Sequence, residues 1–385
     1  MDFEFLLPVS DTVLSHNGIL HKQTLGKTLK IHTKSEGLPD MNGVRLAIFC
    51  IDEFRYASAN SHQKTDTSAL RIQLYKLYSG NWDSTIADLG NIQKGATTED
   101  TNYAIRELVS YLIKLNIIPI IIGGSQEITY ATYRAFDTLS GMINIVAIDN
   151  CFDFSLSEEL VSSRSYMGKI IIEKPNNLFN FSNLGYQTYY NAQEVIDLID
   201  KLFFEAYRLG EIISNIAIVE PVLRDADIVS LDITSVKSGD LGCTENTYPN
   251  GFSGMEICAI SRYSGISDRV SVFGIYESVR SKTSYQLIAQ MIWYFIEGYN
   301  FRTNEYPFDK ENNCTKFMVP VNDETLHFYK SDISGRWWIE VPLLKDLNNK
   351  LKRQALLPCT HQDYLDACNQ IIPRRWWKAH KKAMN

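Results

Sequence analysis

No histidine lies between residues 63 and 326 of this 385-residue chain; the seven present are His16, His21, His32, His62, His327, His361 and His380. That stretch therefore offers no imidazole as a general base or metal ligand. The cysteines (Cys50, Cys151, Cys243, Cys258, Cys314, Cys359 and Cys368) form no C-x-x-C pair and are odd in number. Such scattered thiols read as reduced residues, not as a disulfide framework. The longest apolar runs, such as Ile117–Ile122 and Met291–Ile296, fall well short of a membrane span. Basic residues are outnumbered, 38 Lys and Arg against 45 Asp and Glu, for a net charge of −7. An acidic chain is repelled by nucleic-acid phosphates and anionic lipid, so neither partner is expected. No G-x-G-x-x-G or G-K-[ST] follows Gly123-Gly124, which excludes a phosphate loop there and leaves a tight strand-to-helix turn. The first ten residues carry Asp2 and Glu4 and no basic run, unlike a secretory signal, and the expected location is cytoplasmic.

What is present is ordinary globular material, 45% apolar and 22% charged, enough for one large α/β domain or two smaller ones. Val44–Cys50, Ile117–Ile122 and Ile143–Ile148 have the composition of buried strands. Between them, Ser68–Tyr78, Glu99–Leu115 and Gln126–Leu139 have helical apolar spacing, as do Gln193–Tyr207 and Ser284–Tyr299. Lys169–Ile172, Ile216–Val219, Ile228–Ile233 and Val270–Ile275 add further short apolar runs. Near-continuous apolar strands alternating with helices predict a mostly parallel sheet covered on both faces. Ligands bind such sheets beyond the carboxyl ends of the strands, so residues just after each run carry the chemistry. After about residue 302 the pattern changes to a β-meander (Phe317–Val321, Leu326–Tyr329, Trp337–Val341), a charged helix (Pro342–Gln354) and a basic tail.

Three strand ends are suggestive: Gly123-Gly124-Ser125-Gln126-Glu127, Asp149-Asn150-Cys151-Phe152-Asp153, and Ser230-Leu231-Asp232-Ile233-Thr234. In order and spacing they resemble the G-G-x-H, D-x-H-x-D and S-x-D-x-D motifs of the ureohydrolase superfamily of arginase, agmatinase and formiminoglutamase. Supporting matches are Ala69-Leu70-Arg71, Ala87-Asp88-Leu89-Gly90-Asn91 and Ile275-Tyr276-Glu277, so the resemblance spans roughly residues 40–300. It implies a three-layer α/β/α sandwich with a central, mostly parallel sheet of about eight strands over residues 1–302. Residues 303–385 would then form a C-terminal extension packed on that domain.

In active members of that superfamily six residues bind two manganese ions, whose bridging hydroxide attacks a guanidine-like carbon. The resemblance maps those ligands onto Gln126, Asp149, Cys151, Asp153, Asp232 and Thr234. Three aspartates are kept, while both histidines and one aspartate are replaced. The loop comparable to the family's acid/base histidine reads Ser162-Ser163-Arg164-Ser165-Tyr166. The expectation is a catalytically degenerate relative with no cofactor, binding a protein partner or a small molecule. The alternative is a formiminoglutamase-like hydrolase of a C–N bond with one divalent metal. A hard divalent cation (magnesium, calcium or manganese) would sit on Asp149, Asp153 and Asp232, with the Gln126 oxygen as a further donor. Zinc would take Asp149, Cys151 and Asp232, the single-metal position of the related deacetylase fold.

The plainer structural reading makes the aspartates relics bonded to backbone amides, with Cys151 a buried, inert thiol. Three carboxylates left together without a cation repel, so a raised pKa or a basic neighbour is expected among them. Glu277 either faces the old pocket or pairs with a base such as Arg280. Two R-W-W triplets, Arg336-Trp337-Trp338 and Arg375-Trp376-Trp377, are either a partner surface or core caps on which arginine stacks. The cluster of Lys378, Lys381 and Lys382 reads as a solvated tail. The family commonly forms trimers or hexamers, which adds a homo-oligomer to the expectations.

Overall fold

The computed structural model describes residues 3–57, 65–139, 141–154, 162–243, 245, 247–306, 308–309, 311–342 and 356–384. Its main sheet is built from β1 (Leu6–Leu7), β2 (Lys30–Ile31), β3 (Val44–Ile51), β4 (Thr85–Ile92), β5 (Ile118–Ile122), β6 (Ile143–Ile148), β7 (Leu178–Tyr186), β8 (Glu205–Arg208), β9 (Ile228–Asp232) and β10 (Val272–Tyr276). Eight strands run parallel in the order β4-β3-β5-β10-β9-β6-β7-β8. The two short strands both pair with β4, β1 antiparallel and β2 parallel.

The pleat explains why both faces are coated. Along β3, Leu46, Ile48 and Cys50 enter one core, with the helices Thr67–Tyr75, Gly254–Ile266 and Lys282–Asn300. Ala47, Phe49 and Ile51 enter the other, with Thr98–Lys114, Ile128–Arg134 and Tyr166–Ile172. Side chains of period two on a strand buried on both faces give this three-layer α/β/α arrangement. Helix starts are set locally. Thr97 with Asp100 and Ser253 with Glu256 form capping boxes, each satisfying two N–H groups that would otherwise lack partners. No helix among the described residues is long and apolar enough to cross a membrane.

Some elements differ from the sequence reading. The run Lys169–Ile172 belongs to the helix Tyr166–Ile172, and Ile216–Val219 is a short helical turn running into the helix Val219–Arg224. The helix expected over Gln193–Tyr207 ends at Lys201, and Glu205–Arg208 is β8. β4 and β7 escaped notice because buried polar residues interrupt them: Asp88 in β4, and Asn180, Ser182 and Asn183 in β7.

The C-terminal extension is a four-stranded antiparallel sheet, β11 (Cys314–Val321), β12 (Glu324–Ser331), β13 (Trp337–Glu340) and β14 (Leu356–Cys359), followed by the helices His361–Cys368 and Arg374–Met384. It has its own apolar core. The charged helix expected over Pro342–Gln354 falls almost wholly on residues outside those described.

The R-W-W triplets fasten this unit to the main domain. Trp337, Trp338 and Trp376 are buried, leaving only Trp377 substantially exposed at 43%. Arg375 donates to Glu205 Oε2 of β8 (2.7 Å), Arg336 pairs with Glu220 (3.3 Å), and the Trp338 ring carries the guanidinium of Arg224 at 4.3 Å. The partner-surface expectation thus keeps only Trp377 among the four indoles: the other three are buried with their faces packed on the chain's own side chains, and Trp376 also donates to Glu340 O (2.8 Å). The tail lysines are not simply solvated either. Lys378 is buried, pairing with Asp200 (2.9 Å) and donating to Phe204 O (2.5 Å).

Candidate functional site

Strands β5, β10, β9 and β6 are neighbours at the centre of the sheet. Their carboxyl ends therefore bring together Gln126, Glu277, Asp232 and Asp149, which are far apart in sequence. Gly123 and Gly124 make this approach possible. Both have positive φ (85° and 74°), and a Cβ on Gly123 would stand 2.8 Å from Ile51 O. Asp153 and Glu277 also have positive φ, 54° each. Non-glycine residues in that region cost about 1–3 kcal/mol and concentrate at functional sites.

Asp149 and Asp232 each close the same small turn. The Cys151 N–H donates to Asp149 Oδ1 (2.9 Å) and the Thr234 N–H to Asp232 Oδ1 (2.7 Å). Glu277 Oε1 accepts from the Gln126 N–H (3.1 Å), which ties the end of β10 to that of β5. The Gln126 amide is oriented by its surroundings. Assigned from hydrogen bonding, with the nitrogen on the carboxyl side, it donates to Asp149 Oδ2 (2.8 Å) and Asp153 Oδ2 (3.2 Å) and its oxygen accepts from the Tyr166 hydroxyl (3.2 Å). Arg164, from the loop before the helix Tyr166–Ile172, places one guanidinium nitrogen 3.4 Å from Asp153 Oδ1 and donates with the other to the Tyr248 hydroxyl (3.2 Å).

The three carboxyls are almost fully buried, and burial first of all pushes their pKa values up. Asp153 stands at about 6, held down from a higher value by Arg164, and Asp232 at about 7, with the charge of Asp149 adding to burial. Asp149 is raised well above the ordinary range by burial and the charge of Asp153. Both halves of the sequence expectation are met: raised carboxyls and a basic neighbour. Burial and the Asp149 and Asp153 charges also push the Cys151 thiol up, and its Sγ donates to Asn150 Oδ1 (3.0 Å).

These residues do not fit a two-manganese cluster. The residues matching both histidine ligands and one aspartate ligand are Gln126, Cys151 and Thr234, and a guanidinium stands 3.4 Å from one of the surviving carboxylates. Among the described residues no group of three or more His, Cys, Asp or Glu side chains is arranged to hold a metal ion. Next to the carboxyls lies a cleft of about 320 Å³, walled by Arg164, Tyr190, Asn191 and Tyr248.

The six positions that the resemblance mapped onto the family's metal ligands, and Glu277, are brought by the fold to one end of the sheet. Sequence reasoning missed Tyr166, Tyr248 and the part played by Arg164, although Arg164 sat in the loop where the missing histidine was sought. It also missed Glu127, whose buried carboxyl is pushed to about 8 by burial, against a hydrogen bond from Ser125 Oγ (2.5 Å).

The Arginase family model matches residues 52–287, more than half of the chain. Similar solved structures include formiminoglutamase with manganese from Trypanosoma cruzi, at 17% identity and a TM-score of 0.63 over 72% of this chain and 99% of that one. Formimidoylglutamase from Bacillus subtilis aligns at 17% identity and a TM-score of 0.59, over 73% and 93%. A hypothetical agmatinase from Burkholderia thailandensis aligns at 14% and 0.57, over 72% and 90%. At these identities the likeness concerns the fold. No curated protein sequence matches the chain.

Proposed function

From the premise that this chain belongs to the arginase family, we propose that it is a catalytically degenerate member, a pseudoenzyme whose strand-end cleft serves binding and not C–N bond hydrolysis. The observation that carries this reading is the occupation of the carboxylate cluster by the chain's own groups. The cationic head of Arg164 stands 3.4 Å from Asp153, a positive charge that a metal ion would otherwise supply, and the Gln126 amide, assigned with its nitrogen on the carboxyl side, bridges Asp149 and Asp153. A bound cation beside a fixed guanidinium would be repelled by it, and a donor N–H₂ supplies no lone pair for coordination. What this chain's residues do there is hold one another: Gln126 bridges two carboxyls, Tyr166 fixes Gln126, and Tyr248 fixes Arg164.

The competing reading is a formiminoglutamase-like hydrolase with a single divalent metal on Asp149, Asp153 and Asp232. It draws on the convergence of those three buried carboxyls. It requires Gln126 to turn its oxygen inward and Arg164 to withdraw.

Metal analysis of unchelated protein, expressed with manganese and zinc supplied, separates the two readings, with Asp232→Ala as control. Substoichiometric metal that Asp232→Ala does not change, and no hydrolysis of formiminoglutamate, agmatine or arginine, is the expected result. One tightly bound metal per chain, lost in Asp232→Ala and accompanied by turnover, would overturn the proposal.

A further inference from the structure

A second cleft opens beside the first. Strands β7 and β8 end side by side, with Tyr186 and Arg208 as register partners. Beyond them is a cavity of about 380 Å³, separated from the Arg164 cleft by the turn Thr188–Tyr190. Its cations are Arg208 and Lys237, and no carboxylate lines it among the described residues. Tyr186, Tyr189 and Ile213 give it apolar walls, although Tyr189 and Ile213 are 66% and 48% exposed.

Arg208 is exposed, and its one polar contact among the described residues is a hydrogen bond to the Tyr186 hydroxyl (3.3 Å), with its guanidinium 6.0 Å from that ring. By contrast Arg164, Arg269 and Arg375 each hold a carboxylate. Lys237 has only a loose pair with Asp240 (3.5 Å). In a chain of net charge −7, two cations facing an acid-free, aromatic-walled cavity at the carboxyl ends of parallel strands form a pocket with convergent polar groups.

We propose that this cleft binds a small anion carried on an aromatic or apolar body. A carboxylate or phosphate sits between Arg208 and Lys237, since a guanidinium fork matches either group in two-point contact. The body lies against Tyr186, Tyr189 and Ile213. This site goes beyond the pseudoenzyme reading and stands whether or not the carboxyl cluster takes a metal.

The test is calorimetric or ligand-observed NMR titration of the full chain with phenyl phosphate, phenylacetate and the neutral benzyl alcohol. At least one of the two anions is expected to bind saturably and about tenfold more tightly than benzyl alcohol, as a charge-assisted hydrogen bond requires. Which of the two binds identifies the anion source. Arg208→Gln, at an exposed position, is expected to weaken that binding about tenfold. Lys237→Gln, on a separate segment, is expected to weaken it too, so the result does not hang on one variant's folding. Equal affinity for benzyl alcohol, no saturable binding of either anion, or unchanged affinity in both variants would overturn the proposal.

Discussion

Replacing Arg164 with methionine removes the guanidinium but keeps an unbranched side chain of similar reach. Two unit charges about 4 Å apart attract by about 4 kcal/mol at an effective dielectric constant near 20. The guanidinium is partly exposed, with 34% of its side-chain surface open, and the contact to Asp153 is 3.4 Å. Solvent screening and the desolvation that Arg164 itself suffers bring the expected loss down to about 1–2 kcal/mol. The loss depends on pH in a defined direction. Asp153 titrates in the folded protein at about 6, above its ordinary value. Below that pH the carboxyl is protonated and Arg164 has little to neutralise there; above it the charge is present and the guanidinium counts. Urea unfolding of both proteins at pH 5 and pH 8 should therefore give a small difference at pH 5 and about 1–2 kcal/mol at pH 8. An equal destabilisation at both values, or none at pH 8, would refute the idea that Arg164 neutralises the cluster.

Arg375→Ala leaves Glu205 buried against the C-terminal unit without its guanidinium. Loss of one partner of a buried pair costs about 3–5 kcal/mol, and amide exchange should rise first along β8 and the helix Arg374–Met384. If global stability and exchange there are both unchanged, the latch is not what holds the extension. Gly124→Ala puts a Cβ 3.0 Å from Glu53 O at a φ of +74°. It should lower stability by about 1–3 kcal/mol in denaturant unfolding, a loss that stability within about 0.5 kcal/mol of wild type would contradict.

Much of the fold was legible because strands buried on both faces leave an unbroken apolar signature. β3, β5, β6 and β9 announce themselves in that way, and β6 matches its expected bounds of Ile143–Ile148. β4 and β7 do not, because their interiors hold polar residues satisfied by distant partners. Asp88 of β4 takes Arg71 (2.8 Å) and the Tyr75 hydroxyl (2.8 Å). Asn180 of β7 donates to Glu205 (3.0 Å). Periodicity carries no information about a partner some 17 or 25 positions away. The site residues were legible one by one, since motif spacing survives substitution. The basic neighbour of the carboxyls was not, because Arg164 reaches Asp153 from a loop whose geometry no spacing rule specifies. The R-W-W triplets fell between two readings that composition cannot separate, and burial decided it.

Two of the three aspartates of the cluster have a duty that does not depend on a metal, and Asp88, outside the cluster, shows the same device. Asp149 accepts from the N–H of Cys151, Asp232 from that of Thr234, and Asp88 from that of Gly90 (2.9 Å). In each case the carboxylate accepts from the backbone two residues on, at a strand end for Asp149 and Asp232 and within β4 for Asp88. Replacing a histidine ligand removes only the metal, whereas removing Asp232 would also leave a buried N–H without an acceptor, at about 1–3 kcal/mol. Asparagine separates the two duties, since it keeps the acceptor oxygen and discards the charge. Asp232 has a folded pKa of about 7, raised above its ordinary value, so its contribution is fully present below the unfolded pKa and is lost as pH rises through 7. Asp232→Asn should therefore match wild type at low pH and exceed it at pH 8, while Asp232→Ala should be less stable than Asp232→Asn at both. Equal unfolding midpoints for the two variants would mean that the turn bond contributes nothing, and that the persistence of these aspartates needs another cause.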